Sequence, residues 1–255
     1  MTPYFYDQVG GLFEPTHLAR SPWERGKQNG VALGGLAAFL IETVPSLASM
    51  TTARLAIDIF GAAPLGPTEG RTRVLREGKR IQIVEVELLV EGVSVARASA
   101  MRVRVDATPR FGPALSYPPP EELEPISFLD PRAFGGTMET RPVSGDPRDP
   151  GRAALWVNFG HEHVAGTPLS PLLRVAIIAD FGGGLGAELS RDEWNYMNLD
   201  ISVHMVREPE GEWLLVDAET ESAGLGVARS DMVIADRHGP FARAHQALFI
   251  SPRQT

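Results

Sequence analysis

Gly92-Val93-Ser94-Val95-Ala96-Arg97-Ala98 and Gly239-Pro240-Phe241-Ala242-Arg243-Ala244 read as two copies of one strand, far apart in the chain. Each copy closes a segment that turns at a proline, Pro64 or Pro209, and continues through strand-like runs. Upstream of each lies one helix-like apolar run, Leu33 to Val44 in the first half and Leu169 to Asp180 in the second. Two such halves sharing one core predict a site where they meet.

The composition bounds what that site can be. The chain has 255 residues, 43% hydrophobic and 22% charged, as expected of a globular protein. A net charge of −8 argues against nonspecific nucleic-acid binding, which needs clustered cations on one face. The absence of cysteine excludes disulfides, thiolate catalysis and cysteine-ligated zinc. The start MTPYFYDQVGG carries neither a basic nor an apolar targeting segment, and the run Val31 to Ile41 is too short to span a bilayer. The expectation is a cytoplasmic protein that engages neither membrane nor nucleic acid.

In the first half, the run from Leu33 has too much Ala and Leu and too little β-branching for a strand, and Pro45 should end it. Strand-like segments follow at Arg54 to Phe60, Gly70 to Glu77, Arg80 to Glu91 and Val93 to Val105, with Gly78 and Gly92 at the turns. Residues 107–150, with Pro118-Pro119-Pro120 at their centre, read as a long connection across the surface. The second half repeats the plan. A strand is expected near Ala154 to Phe159, then a helix from Leu172 to about Asp180, with Ser170-Pro171 as cap and first turn and Gly182-Gly183-Gly184 as its stop. Strands then occupy Asn198 to Ile250. One helix against an antiparallel sheet, twice, is an α+β architecture divided as 1–106, 107–150 and 151–255.

Leu75-Arg76-Glu77-Gly78-Lys79-Arg80, followed by alternating Val and Glu, a glycine turn and Ala96-Arg97-Ala98, resembles the hotdog-fold acyl-CoA thioesterases. The fused repeat, with Asn198-Leu199-Asp200, Arg207, Trp213-Leu214-Leu215 and His245-Gln246, resembles the double-hotdog acyl-CoA thioesterase II (TesB-like) type over nearly the whole chain outside the connection. The resemblance implies a central helix wrapped by a sheet in each half. It also implies a water oriented by an Asp, a Gln and a Thr or Ser. Asp200 matches the acid and Gln246 the amide. Counting from Trp213, the family hydroxyl falls on Glu221. Alternation places Leu214, Val216, Ala218, Thr220 and Ser222 on one face, so a one-residue shift would let Thr220 or Ser222 serve.

The residues also have readings of their own. Gln246 sits among Ala242, Ala244, Leu248 and Ile250, and such an amide needs partners, whether a water or a neighbouring strand. Asp200 shares its face with Ser202 and His204, as either a general base or a capping carboxylate. Glu42, seven residues after Gly34-Gly35 pairs with the helix acid of single-hotdog PaaI-like thioesterases, and is the alternative catalytic group; otherwise it is a helix-end charge reaching solvent. Asp180 ends the matching helix, with the helix-end reading the stronger. Free N–H groups near Gly35 and Leu172 are candidates for holding a thioester oxyanion.

Other features point elsewhere. His161-Glu162-His163 has no third metal ligand in view and reads as a solvated loop. Arg71, Arg73, Arg76, Lys79 and Arg80 could meet coenzyme A phosphates or form a solvated strand face. There is no Gly-x-Ser-x-Gly elbow. The expectation is an enzyme hydrolysing an acyl-CoA to free acid and coenzyme A, without metal or redox cofactor, and a homodimer is a further expectation. Two alternatives stay open, a noncatalytic acyl-CoA-binding hotdog and an enoyl-CoA hydratase or dehydratase using His161 or His163.

Overall fold

The computed structural model describes residues 4–22, 24–112, 116–130 and 134–253. Parts of the connection, 113–115 and 131–133, lie outside the described residues. The elements of the first half are β1 (Tyr4–Val9), β2 (Leu12–Pro15), α1 (Gly30–Glu42), β3 (Met50–Ile59), β4 (Thr68–Arg76), β5 (Ile81–Val90) and β6 (Val93–Arg104). Those of the second are β7 (Met138–Ser144), β8 (Ala153–Phe159), β9 (Glu162–Val164), α2 (Pro171–Ile178), α3 (Gly182–Leu185), β10 (Trp194–Asn198), β11 (Asp200–Met205), β12 (Trp213–Ser222), β13 (Val227–Asp236) and β14 (Gly239–Pro252).

α1 begins three residues before the apolar run because Asn29 caps it, its side-chain oxygen accepting from the Ala32 N–H. The helix is apolar on nearly every side, and residues 31–38, 40 and 41 are buried, as a helix at the centre of a core must be. Its carboxyl end is tied down from the sheet. Arg102 donates to the carbonyls of Ile41 and Val44, and Gln82 to that of Pro45. The β5–β6 hairpin turns through Glu91 and Gly92, both at positive φ, which suits the twist of a two-residue hairpin.

Among the described residues the strands form one sheet, ordered β7-β8-β12-β13-β14-β11-β3-β6-β5-β4-β2-β1-β9, with β10 pairing β14. The halves join at its middle, where β11 pairs antiparallel with β3, Ile201 opposite Ile57 and Val203 opposite Leu55. Outward from that seam both halves run in the same order, β6-β5-β4 on one side and β14-β13-β12 on the other. The sheet wraps the helix pair. α1 and α2 pack antiparallel, since the end of α2 meets the start of α1 and the end of α1 meets the start of α2. This is the α+β double hotdog.

Four expectations change. β1, β2 and β9 are short strands with no clear period in sequence, and β9 crosses over to pair with β1 of the first half at the edge of the sheet. The connection contributes β7, paired to β8, and covers the outer face of the second half, where Trp156 donates to the Pro118 carbonyl and Tyr117 to Asp217. The triple glycine does not end the helical path. A 3-10 turn at Ala179–Phe181 leads straight into α3. His163 is not in a solvated loop but fully buried in β9.

Candidate functional site

The antiparallel helix pair has two ends, each bringing the acid of one helix to the start of the other. At one end Asp180 abuts α1: a Cβ on Gly30 would lie 2.3 Å from its Oδ1, and Val31 donates its backbone N–H to the carboxylate. Asn198 donates to Oδ1 from 2.8 Å. Burial dominates these bonds and pushes the Asp180 pKa up to about 6, although the residue keeps some solvent contact. A carboxylate near 6 is ionised at neutral pH yet basic enough to accept a proton.

Gln246 is drawn to the same turn. It is 1% exposed, its Nε2 donates to the Ala179 carbonyl from 2.8 Å, and its Oε1 accepts from Gly183 N–H at 2.6 Å. The glycines now have a purpose. A Cβ on Gly182 would lie 2.5 Å from Met232 Sδ, and one on Gly183 would lie 2.7 Å from Leu248 Cδ2, so only bare backbone can come this close to β13 and β14. Across the sheet, Thr220 stands opposite Ser230, and Ser230 opposite Gln246, all on the inner face. Thr220 Oγ1 and Ser230 Oγ are buried without a partner in the protein.

At the other end Glu42 accepts a 2.6 Å bond from Ser170, the cap of α2. Partial burial raises its pKa, while Ser170 and Arg102 oppose the shift. The residue is nonetheless exposed. Leu172 lies here, in the first turn of α2. A cavity of about 520 Å³ opens beside this end, lined by Phe159, His161, Leu169, Arg174 and Glu212 among others; Asp180, Thr220 and Gln246 do not line it.

The remaining sequence candidates fall elsewhere. Asp200 lies on the outer face, opposite Ala247, accepting from the Ala247 N–H and from Ser202 Oγ. Side chains alternate along β14, so Asp200 and Gln246 project from opposite faces and cannot orient one water. Ser222, at the exposed end of β12, donates to the Val227 carbonyl and accepts from Gly224 N–H, which makes it a turn residue. Glu221 also faces out, paired with Arg229 at 2.7 Å. The inward hydroxyl is therefore Thr220. Gly35 is not a helix start but the sixth residue of α1, and a Cβ on it would lie 2.3 Å from the His163 ring. That ring bonds the Ala32 carbonyl through Nε2 and stacks on Phe5, and burial pushes its pKa down to about 4. Arg71 and Arg73 pair with Glu69 and Glu85 on an exposed strand face.

Asn198 and Ser230 were not singled out from the sequence as site residues. Alternation back from Ile234 and Met232 would have turned Ser230 inward. Asn198 entered only as part of the stretch Asn198-Leu199-Asp200, and its bond to Asp180 is tertiary.

The fold and this paired-helix site define a double-hotdog protein. The acyl-CoA thioesterase N-terminal domain model matches residues 19–103 and the acyl-CoA thioesterase C-terminal domain model residues 114–250, so the chain belongs to the acyl-CoA thioesterase family. No curated protein sequence matches it. Among solved structures it is similar to a hot dog fold protein of unknown function from Alicyclobacillus acidocaldarius, with a TM-score of 0.77, 15% identity and coverage of 96% of this chain and 95% of that one. The tesB protein of Mycobacterium avium subsp. paratuberculosis superimposes with a TM-score of 0.72 at 15% identity, covering 97% and 96%. The acyl-CoA thioesterase II TesB2 of Mycobacterium marinum gives 0.66 at 20% identity, covering 88% and 91%.

Proposed function

We propose that this protein hydrolyses an acyl-CoA thioester to the free acid and coenzyme A, at the Asp180 end of the helix pair. The observation that carries the reading is the setting of Asp180. It is a carboxylate whose pKa is raised to about 6, held at the positive end of α1 and on the same turn that Gln246 bonds. Its counterpart Glu42 is an exposed helix-end acid, and on the sheet Ala100 stands where the second half has Gln246.

In this reading Asp180 takes a proton from water as the water oxygen attacks the thioester carbonyl. Gln246 and Thr220 orient that water. The oxyanion that develops faces the amino-terminal end of α1. Collapse breaks the carbon–sulfur bond, and the leaving thiolate recovers the proton from Asp180. A carboxylate, an amide and a hydroxyl suffice for this chemistry, so the only cofactor involved is the coenzyme A of the substrate. The partner is a small acyl-CoA, and the fused repeat already supplies one hotdog pair.

The test is thiol release from short, long and aromatic acyl-CoAs by wild type and Asp180→Asn. Turnover that disappears in the variant supports the reading. Turnover retained in the variant moves the chemistry to the Glu42 end, and no release by wild type from any substrate overturns it in favour of noncatalytic binding.

A further inference from the structure

Asn198 reaches Asp180 because the strand that carries it is irregular. Along β14, Asn198 stands opposite Leu248 and Ser202 opposite His245. Three residues, Leu199 to Ile201, therefore face two, Gln246 and Ala247, which is a β-bulge at the junction of β10 and β11. Without the extra residue, alternation back from Ser202 would put Asn198 on the outer face with Asp200. With it, Asn198 shares the inner face with its partner Leu248, which is fully buried. The bulge is tied on both sides. Leu199 donates to the Ala247 carbonyl and accepts from Ile59 of the first half, while the Ala247 N–H goes to Asp200 Oδ1 at 2.7 Å.

On the inner face Asn198 Nδ2 donates to Asp180 Oδ1 from 2.8 Å and to the Asp180 main-chain carbonyl from 3.4 Å. A Cβ on Gly183 would lie 3.0 Å from Asn198 Oδ1 and 3.3 Å from Gln246 Oε1, so this glycine leaves room for both amides. Together they hold one turn, Gln246 at Ala179 and Gly183, and Asn198 at Asp180 between them. The first half is built otherwise. There β6, the counterpart of β14, pairs only with β3 and β5 among the described residues, and Glu42 takes its bond from the cap of the other helix.

We propose that Asn198 is the positioning residue of the base: its amide, aimed inward by the bulge, fixes the Asp180 carboxylate against the first turn of α1. A donor to the charged form favours that form, so Asn198 also opposes the burial that favours the neutral acid. The Val31 N–H acts in the same sense, and no charged side chain among the described residues contributes to the setting of this carboxyl. The inference rests on the thioesterase reading and its siting of the base at Asp180.

The experiment records kcat, KM and melting temperature from pH 4 to pH 9 for wild type, Asn198→Ala and the isosteric Asn198→Asp, on the best acyl-CoA found. Losing the donor should move the acid limb of kcat/KM up by about one pH unit in Asn198→Ala. The limb should move further in Asn198→Asp, which sets a second carboxylate against the first. On the plateau, kcat should fall about tenfold in Asn198→Ala with KM little changed, because the base is free to turn. The melting temperature of Asn198→Ala should drop more at pH 8 than at pH 4, since the bond lost is the one to the charged carboxylate. An acid limb left at the wild-type pH in both variants overturns the proposal, because an asparagine that only braces the fold would move melting temperature alone. Turnover that survives Asp180→Asn overturns the siting of the base, and this inference with it.

Discussion

Replacing Asp180 by asparagine should stabilise the protein at neutral pH while abolishing turnover. Burial raises the pKa of this carboxyl from 3.8 to about 6. A raised carboxyl pKa means that the folded state prefers the neutral form. Its contribution to stability is therefore fully present below pH ~4 and lost as pH rises through ~6. The shift corresponds to about 3 kcal/mol held against the fold at pH 8, at 1.36 kcal/mol per unit, before discounting for the residue's partial solvent contact. Asparagine removes the charge but accepts fewer bonds, so one of those from Val31 and Asn198 is lost at a cost of about 1 kcal/mol. The net gain is about 1–2 kcal/mol, or roughly 3–6 °C in melting temperature for a chain of this length. Thermal unfolding of both proteins from pH 4 to pH 8 measures it. The difference should open between pH 4 and pH 7 and vanish or reverse at the acid end, while wild-type kcat/KM falls below a pH of about 6. A variant less stable than wild type at pH 8, or a difference that does not change with pH, would refute the argument that Asp180 is a strained base.

Gln246→Ala should both abolish turnover and lower stability by about 2–4 kcal/mol, seen as a lower urea midpoint, because the Ala179 carbonyl and the Gly183 N–H lose their partner. Gly35→Ala should be strongly destabilising, since its Cβ would fall 2.3 Å from the buried His163 ring; adding His163→Ala should recover part of the loss, a coupling that a double-mutant cycle in denaturant reads directly. Glu42→Gln and Asp200→Asn should keep kcat within about threefold of wild type in the thiol-release assay, one acid being a surface cap contact and the other on the outer face.

The repeat, the central helix of each half and the long strands were legible in the sequence because they rest on local periods. β5 alternates cleanly, with Gln82, Val84, Val86 and Leu88 buried on one face. The same alternation put Thr220 inward with Leu214, Val216 and Ala218, and the structure has it there. The setting of Asp180 was not legible. Asp180 and Asp200 both stand at the ends of elements in an apolar context, and what separates them is a contact with Gly30 and Val31, far back in the chain. The triple glycine misled for a related reason. By propensity it ends a helix, but its close approach to Met232 and Gln246 outweighs the conformational cost of glycine and carries the helical path onward.

The two halves show how one scaffold can divide its tasks. α1 ends in an acid and the 3-10 turn after α2 carries another, each beside the other helix's first turn, so the fold offers two similar places for a base. In the first half the sheet answers with Arg102 and Gln82, one pair further along than Ala100 and Val84, and these cap the carbonyls at the end of α1. That use of polarity is structural: it closes the helix and leaves Glu42 at the surface with Ser170. In the second half the pair equivalent to Gln82 and Arg102 is Ala228 and Leu248, both apolar, and the polar groups move back one step to Ser230 and Gln246. The end of α2 is then held not by a cation but by the Gln246 amide, at Ala179 and Gly183. Among the described residues no guanidinium hydrogen-bonds Asp180, and the bonds from Asn198 and Val31 only partly offset the burial that raises its pKa. A two-residue displacement of polarity along paired strands thus separates the half whose acid stays at the surface from the half in which we propose the base.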